Sequence, residues 1–274
     1  MKKTFLWQIS GTELPAASYL FGTMHVQDIR AFEKLDLIKE KIRECGTFAV
    51  EFHLGEAKGM GEKTAMLPDG LTLKGLVPEK KYTKLRKILL KTARLDIDLF
   101  QRLSPFMLLG LVSGQLLDKD MPESLDEHLW KFAEAENKAM EGIETLAEQM
   151  AVLEKIPLGM QVKMLLDLGR NPQNFRRHLL HMTSLYQNGE LQRLSKSVNK
   201  NARGLRKILL YQRNETMAGR IFHLAKEGSI FAAVGAGHLG GGKGVIRLLK
   251  KKGLKVKPVG QAGFGNPGYY QSES

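Results

Sequence analysis

Two stretches of this chain repeat one pattern, and that pattern restricts the fold more than any other feature. Ser18-Tyr19-Leu20-Phe21-Gly22 runs an apolar, β-prone segment into a glycine, and His25 follows three residues later. Residues 229–235 do the same, ending on Gly235, with His238 again three residues on. Glycine at a strand end permits a tight turn and close backbone approach, so the histidine projects from the rim of a sheet instead of packing within it. In open α/β sheets the crevice outside the carboxyl ends of the strands is where ligands bind. One Gly-x-x-His carries little information; two, each after an apolar strand, predict two halves of one polar site.

The remaining segments fit that frame. Short apolar or β-branched runs at 5–9, 18–22, 47–52, 139–143, 229–235 and 255–259 predict strands. Apolar residues at three- and four-residue spacing predict helices over 83–95, 105–117, 124–136, 146–154, 160–168, 176–188 and 205–226. Ser124 and Glu127 form the S-x-x-E signature of a capping box at one helix start. The expected fold is therefore α/β (α+β in its segregation of elements): a central mixed β-sheet flanked by helices, with a helical insertion between the two halves. A chain of 274 residues has the length for one elaborated domain. Residues 1–55 would supply the first sheet half, 56–227 the mainly helical middle with its strand at 139–143, 228–260 the second half, and 261–274 a loose tail.

Several chemistries are excluded or made unattractive. A single cysteine, Cys45, permits no intramolecular disulfide and no thiolate cluster, and reads as a small core residue. Lys and Arg total 42 against 29 Asp and Glu, but the basic runs at 80–91, 176–178, 196–206 and 250–257 lack the interleaved aromatics that stack bases. They read as solvated basic surface, with no specific nucleic acid expected. Residues 235–244 are glycine-rich, yet Gly244 follows Lys243 where a phosphate loop needs Ser or Thr, so nucleotide binding is not expected. Trp7, Gln8, Ser10 and Glu13 interrupt any signal-peptide core, and no run reaches spanning length. A cytoplasmic location with no transmembrane segment is the corresponding expectation.

Carboxylates complete the candidate site. Glu51 ends the apolar run Thr47-Phe48-Ala49-Val50, where a carboxylate is costly unless solvated, paired or coordinated. His53 lies two further on, and Glu144 repeats the arrangement after 139–143. Two histidines with one or two carboxylates suit a divalent ion that keeps an open position; alternatively Glu51 serves as general base. The expected metal set is His25, Glu51 and His238, with manganese, cobalt or zinc as the ion and Glu51 or Glu144 moving the proton. Gln149 reads as a surface residue. Arg213 falls within the apolar stripe of its helix, three after Leu210 and four before Met217, and so requires a carboxylate or a bound anion. Asn214 sits at the stripe's edge, able to orient substrate or water. Gly22 and Gly235, with Arg213, are the expected substrate contacts.

With these residues in place, the chain resembles the TraB/PrgY/GumN family, which includes the Tiki metalloproteases and is similar in fold to erythromycin esterase and ChaN proteins. The carrying segments are residues 19–26, 48–51, 124–126 leading to Glu144-Thr145 and Gln149, Arg213-Asn214, and 234–240. The resemblance implies a site of His25, Glu51, Arg213, Asn214 and His238 and, from the Tiki branch, metal-dependent peptide hydrolysis. It also departs at one point: the family often has Asp two after the strand glutamate, where this chain has His53. The reading that follows is a divalent-metal-dependent hydrolase acting on a peptide or small anionic substrate. The alternative is a non-catalytic protein that sequesters a peptide or small anion, as pheromone-related members of the family are thought to do, with the inward Arg213 as its anchor.

Overall fold

Phe231 explains the centre of the molecule. In the computed structural model, which describes residues 3–53, 55, 66–202 and 204–260, its ring stacks on Phe48 at 5.9 Å and 15° and tilts against Phe21 and Tyr19 at 6.1 and 6.4 Å. Three strands meet there, each apolar because both of its faces are covered. The strands are β1 (Leu6–Ser10), β2 (Ser18–Thr23), β3 (Thr47–Phe52), β4 (Ala139–Glu144), β5 (Ile230–Gly235) and β6 (Lys255–Pro258). They form one mixed sheet in the order β4-β3-β5-β2-β1-β6. β4, β3, β5 and β2 run parallel, while β1 pairs antiparallel with both β2 and β6. The α/β class and the mixed sheet are as the sequence predicts.

This order has one consequence for function. The four parallel strands all end on the same edge, so their carboxyl-end residues line up as Glu144, Glu51, Gly235 and Thr23. The β2–β5 register sets Gly22 opposite Val234 and Thr23 opposite Gly235, which brings the two Gly-x-x-His turns side by side.

Helices fill the rest: α1 (Leu35–Arg43), α2 (Leu73–Leu76), α3 (Glu79–Ala93), α4 (Pro105–Gln115), α5 (Leu125–Ala135), α6 (Leu146–Glu154), α7 (Leu158–Arg170), α8 (Pro172–Gln187), α9 (Leu191–Asn201), α10 (Arg213–Glu227) and α11 (Val245–Lys251). Leu85, Leu89, Leu108, Val112 and Leu165 from the helical middle build a second apolar cluster beside the one under the sheet. The starts of α3, α7 and α8 lie earlier than periodicity suggests. α3 begins at Glu79 because Pro78 precedes it and its first turn is polar, and α8 begins at Pro172 under an Asn171 cap. Ser124 does cap α5 by accepting from the Glu127 N–H, but the reciprocal capping box, with both halves bonded, belongs to Thr145 and Glu148 at α6. α1, α2, α9 and α11 were not predicted from apolar spacing; Ile38 and Ile42 are the buried contacts of α1.

The largest departure lies at 205–226. Instead of one α-helix, residues Lys207–Gln212 form a π-helical segment that runs directly into α10. Such wide turns alter the phase of the helix and are frequent at functional sites. Cys45 is buried as expected, and burial pushes its thiol up to about 12. Among the described residues no helix is long and apolar enough to cross a membrane. The tail expected over 261–274 lies outside the described residues.

Candidate functional site

Arg213 holds the row of carboxylates together. Its Nε lies 3.1 and 3.0 Å from the two oxygens of Glu144, and its Nη2 donates to Glu144 Oε2 at 2.6 Å and Glu51 Oε2 at 2.9 Å. The carboxylate demanded by an arginine on an apolar stripe is thus supplied twice, from the ends of β4 and β3. Glu144, only 3% exposed, is committed to this fork, and it sits deeper than a residue expected to exchange protons with substrate. Arg213 likewise faces two carboxylates of the chain itself. Gln149, expected at the surface, turns inward with its Nε2 3.5 Å from both Glu51 and Glu144.

The other oxygen of Glu51 turns toward β5. It accepts the Gly235 N–H at 2.6 Å and lies 3.8 Å from His238 Nε2. A Cβ on Gly235 would stand 2.9 Å from Glu51 Oε1, so this glycine is required for the approach of the carboxylate. Gly22 has a packing reason of its own: a Cβ there would meet Leu239 at 2.9 Å and Ala236 at 3.1 Å. Its carbonyl accepts the Tyr186 hydroxyl at 2.7 Å. Neither expected backbone contact to substrate is needed to account for these two glycines.

Asn214 determines the tautomer of His238. Its Nδ2 donates to the Lys243 carbonyl at 2.8 Å, and a carbonyl can only accept, so the amide orientation is fixed. Asn214 Oδ1 therefore faces His238 Nδ1, at 2.6 Å, and Nδ1 carries the proton. Burial pushes the His238 imidazole down to about 4, with Glu51 opposing the shift and Arg213 adding to it. Near neutral pH the ring is uncharged, and its Nε2 lone pair points to the Glu51 side. Burial also works against the Glu51 carboxylate, but His238 in its protonated form, Arg213 and the Gly235 N–H hold it below the usual range. Two acceptors, Nε2 and Oε1, thus face each other 3.8 Å apart. That donor set is chemically suited to a cation.

His25 is placed differently. Its side chain is 81% exposed, and its Nδ1 lies 3.5 Å from Asp126 Oδ2, while Asp126 Oδ1 accepts the Thr23 hydroxyl at 2.6 Å. The Asp126 carboxylate beside it raises the His25 imidazole above its ordinary value. Among the described residues no group of three His, Cys, Asp or Glu side chains is gathered closely enough to hold a metal. The expected trio is therefore not gathered: Glu51 and His238 face each other, and His25 stands beside Asp126 after the neighbouring strand. Asp126 was visible in the sequence as part of a helix start and of a segment that carries the family resemblance; its role beside His25 depends on the start of α5 meeting the end of β2. His53 does not join the carboxylates. It meets Trp130 edge-on at 4.7 Å and accepts the Gly55 N–H at 3.1 Å.

The glycine-rich stretch after β5 also finds a structural explanation. Gly244 lies against the Gly240 carbonyl, where a Cβ would stand at 2.3 Å, and Gly241 adopts a φ of 88°. These are demands of a tight turn feeding α11.

A mixed sheet with four parallel strand ends converging on an arginine, two glutamates and an imidazole defines an α/β protein with a polar rim at the carboxyl ends of its strands. The chain belongs to the TraB/PrgY/gumN family, which it matches over residues 5–258. It is similar to Metalloprotease TIKI2 of Danio rerio, 22% identical over 93% of this chain and 60% of that protein. It is 25% identical to Metalloprotease TIKI1 of Danio rerio over 94% of this chain and 64% of the relative, and 24% identical to the Metalloprotease TIKI homolog of Amphimedon queenslandica over 93% and 61%. The chain thus spans about three fifths of the length of these curated relatives. No solved structure matches it significantly.

Proposed function

We propose that this chain is a divalent-metal-dependent hydrolase, most specifically a peptidase, working at the rim of His25, Glu51 and His238. The observation that carries the reading is the pair of facing acceptors, His238 Nε2 and Glu51 Oε1 at 3.8 Å, with the imidazole proton committed to Asn214 on the opposite side of the ring. Membership of a family whose curated relatives are named metalloproteases supports it.

His238, Glu51 and His25 would hold the ion, which when bound would polarise a carbonyl and lower the pKa of a coordinated water. The chain's own residues have separable tasks. Asn214 keeps the lone pair on Nε2. Arg213 orients Glu51 through Oε2, leaving Oε1 turned to His238 and able to accept a proton at the rim. Glu144 neutralises the arginine from beneath, so Arg213 is a positioning residue. His25, exposed beside Asp126, has the freedom to turn toward an arriving ligand.

The test is metal content by mass spectrometry, paired with cleavage of a peptide library before and after chelation. The native chain should bind about one divalent ion and cleave peptide only when loaded, and His238→Ala and His25→Ala should each lose both properties. Full metal affinity and turnover in both variants would overturn the assignment. Peptide held but never cut by the metal-loaded chain would favour the sequestering alternative instead.

A further inference from the structure

Asn214, which fixes His238, also lines a pocket of about 450 Å³ walled by α9, the π-helical segment and the glycine-rich loop. That volume lies within the range of sites that take small ligands or a few residues of peptide. Its lining includes Lys196, Lys200, Arg206 and Lys243 and, among the described residues, no Asp or Glu. None of these four cations forms an ion pair with a described carboxylate. Like charges gathered around a concavity repel one another and concentrate anions there. A second observation is independent of charge. Ser195 is 2% exposed, lines the same pocket, and its Oγ has no hydrogen-bond partner among the described residues. A buried hydroxyl without a partner is costly, and it is relieved by a ligand that accepts from it.

The chemistry favours carboxylates over a nucleotide. Among the described residues Tyr211 is the one aromatic side chain in the lining, and the Lys243 ammonium lies over one face of its ring at 4.7 Å, where a base would otherwise stack. The pocket also adjoins the rim: Gly237, in its wall, immediately precedes His238. We propose that this pocket is a specificity subsite that receives acidic side chains of a peptide whose backbone crosses the His238–Glu51 rim. The assignment of the peptide as substrate rests on the peptidase reading above; the preference for acidic residues rests on the pocket.

The two are separated by measuring binding without turnover. A fluorescein-labelled octapeptide of Gly and Ala carrying an adjacent Glu pair, and its Gln-Gln counterpart, are titrated against the full chain in EDTA by fluorescence anisotropy. The Glu peptide should bind at least about tenfold tighter, the scale of one charge-assisted contact at a solvated site. The Lys196→Glu, Lys243→Glu double variant should abolish that difference; both side chains are exposed, so the fold should be unaffected. Ser195→Ala should weaken the Glu peptide more than the Gln peptide. Equal affinity of the two peptides, or a difference that survives charge reversal, would overturn the subsite. So would displacement of the Glu peptide by inorganic phosphate as effectively as by unlabelled Glu peptide, which would mark a site for free oxyanions. If the Glu preference holds but no peptide is cut by the metal-loaded chain, the peptidase reading fails and the subsite stands. If neutral peptides are cut as readily as acidic ones, the reverse follows.

Discussion

His25 and His238 occupy equivalent places in matching Gly-x-x-His turns on neighbouring parallel strands, yet their surroundings are opposite. The His238 side chain is 9% exposed and bonded through Nδ1, with its pKa pushed down to about 4. The His25 side chain is 81% exposed, has one loosely placed carboxylate beside it, and is shifted upward. The motif therefore delivers a histidine to the rim, while helices from elsewhere in the chain decide what it does there. α10 supplies the locked half through Arg213 and Asn214; α5 supplies the open half through Asp126. One half is preorganised, and the other is able to move.

The sharpest way to break this contrast is to remove the charge on which the locked half depends. Arg213→Met would leave Glu51 and Glu144 buried or half-buried without their common partner. Breaking a buried pair in this way costs about 3–5 kcal/mol, and urea unfolding should show a loss on that scale. His25→Ala, made at an exposed position, should stay within about 0.5 kcal/mol of the native chain. A loss of similar size in both variants would contradict the asymmetry.

Asn214→Ala tests the same half through a single hydrogen-bond partner. It strips the acceptor from His238 Nδ1 and the donor from the Lys243 carbonyl, and should destabilise by about 1–3 kcal/mol. The tautomer of His238 should also lose its definition, visible as a change in the imidazole nitrogen shifts by NMR. If those shifts are unmoved, Asn214 is not what fixes the lone pair.

The two imidazoles should also titrate on opposite sides of the ordinary value of 6.5. His238, depressed to about 4, stays neutral in the folded chain while the unfolded chain takes up a proton below 6.5. Its contribution to stability is complete above 6.5 and falls as pH drops toward 4, by at most about 1.4 kcal/mol per pH unit. His25, raised, contributes with the opposite sign: stability present below 6.5 that disappears as pH rises through its folded value. Because it is exposed, its share is small. NMR titration of the ring protons reads both directly, and a shared midpoint would remove the distinction.

The part of this arrangement that could be read from the sequence is the part that depends on local pattern. Apolar strands ending in glycine placed the histidines on a rim, and the position of Arg213 on an apolar stripe required a carboxylate partner. What could not be read depends on strand order and helix placement. Glu51 and Glu144 share one arginine because β3 and β4 are neighbours, a fact of topology that neither segment encodes alone. Gln149 turns inward because α6 starts directly from the end of β4, and His53 turns away because Trp130 on α5 is there to receive it. The π-helical segment before Arg213 has no signature in apolar spacing, although it directs consecutive side chains to different partners, Arg213 to the glutamates and Asn214 to His238. The role of Asp126 was hidden for the same reason: an acid in the first turn of a helix is explained by the helix dipole, and only the meeting of the start of α5 with the end of β2 gives it a histidine.

Asp126 also offers the smallest and most selective intervention. Asp126→Asn keeps an oxygen able to accept the Thr23 hydroxyl, so the cost in stability should not exceed about 1 kcal/mol. The negative charge that holds the His25 imidazole above its ordinary value is removed, and the His25 midpoint should fall toward 6.5 while that of His238 stays where it is. Under the proposed hydrolase reading a neutral His25 is the ligand form, so the same substitution should move the onset of metal uptake to lower pH without changing the affinity reached at high pH. An unchanged His25 midpoint would mean that Asp126 serves only Thr23, and that the open half of the rim takes its protonation behaviour from solvent alone.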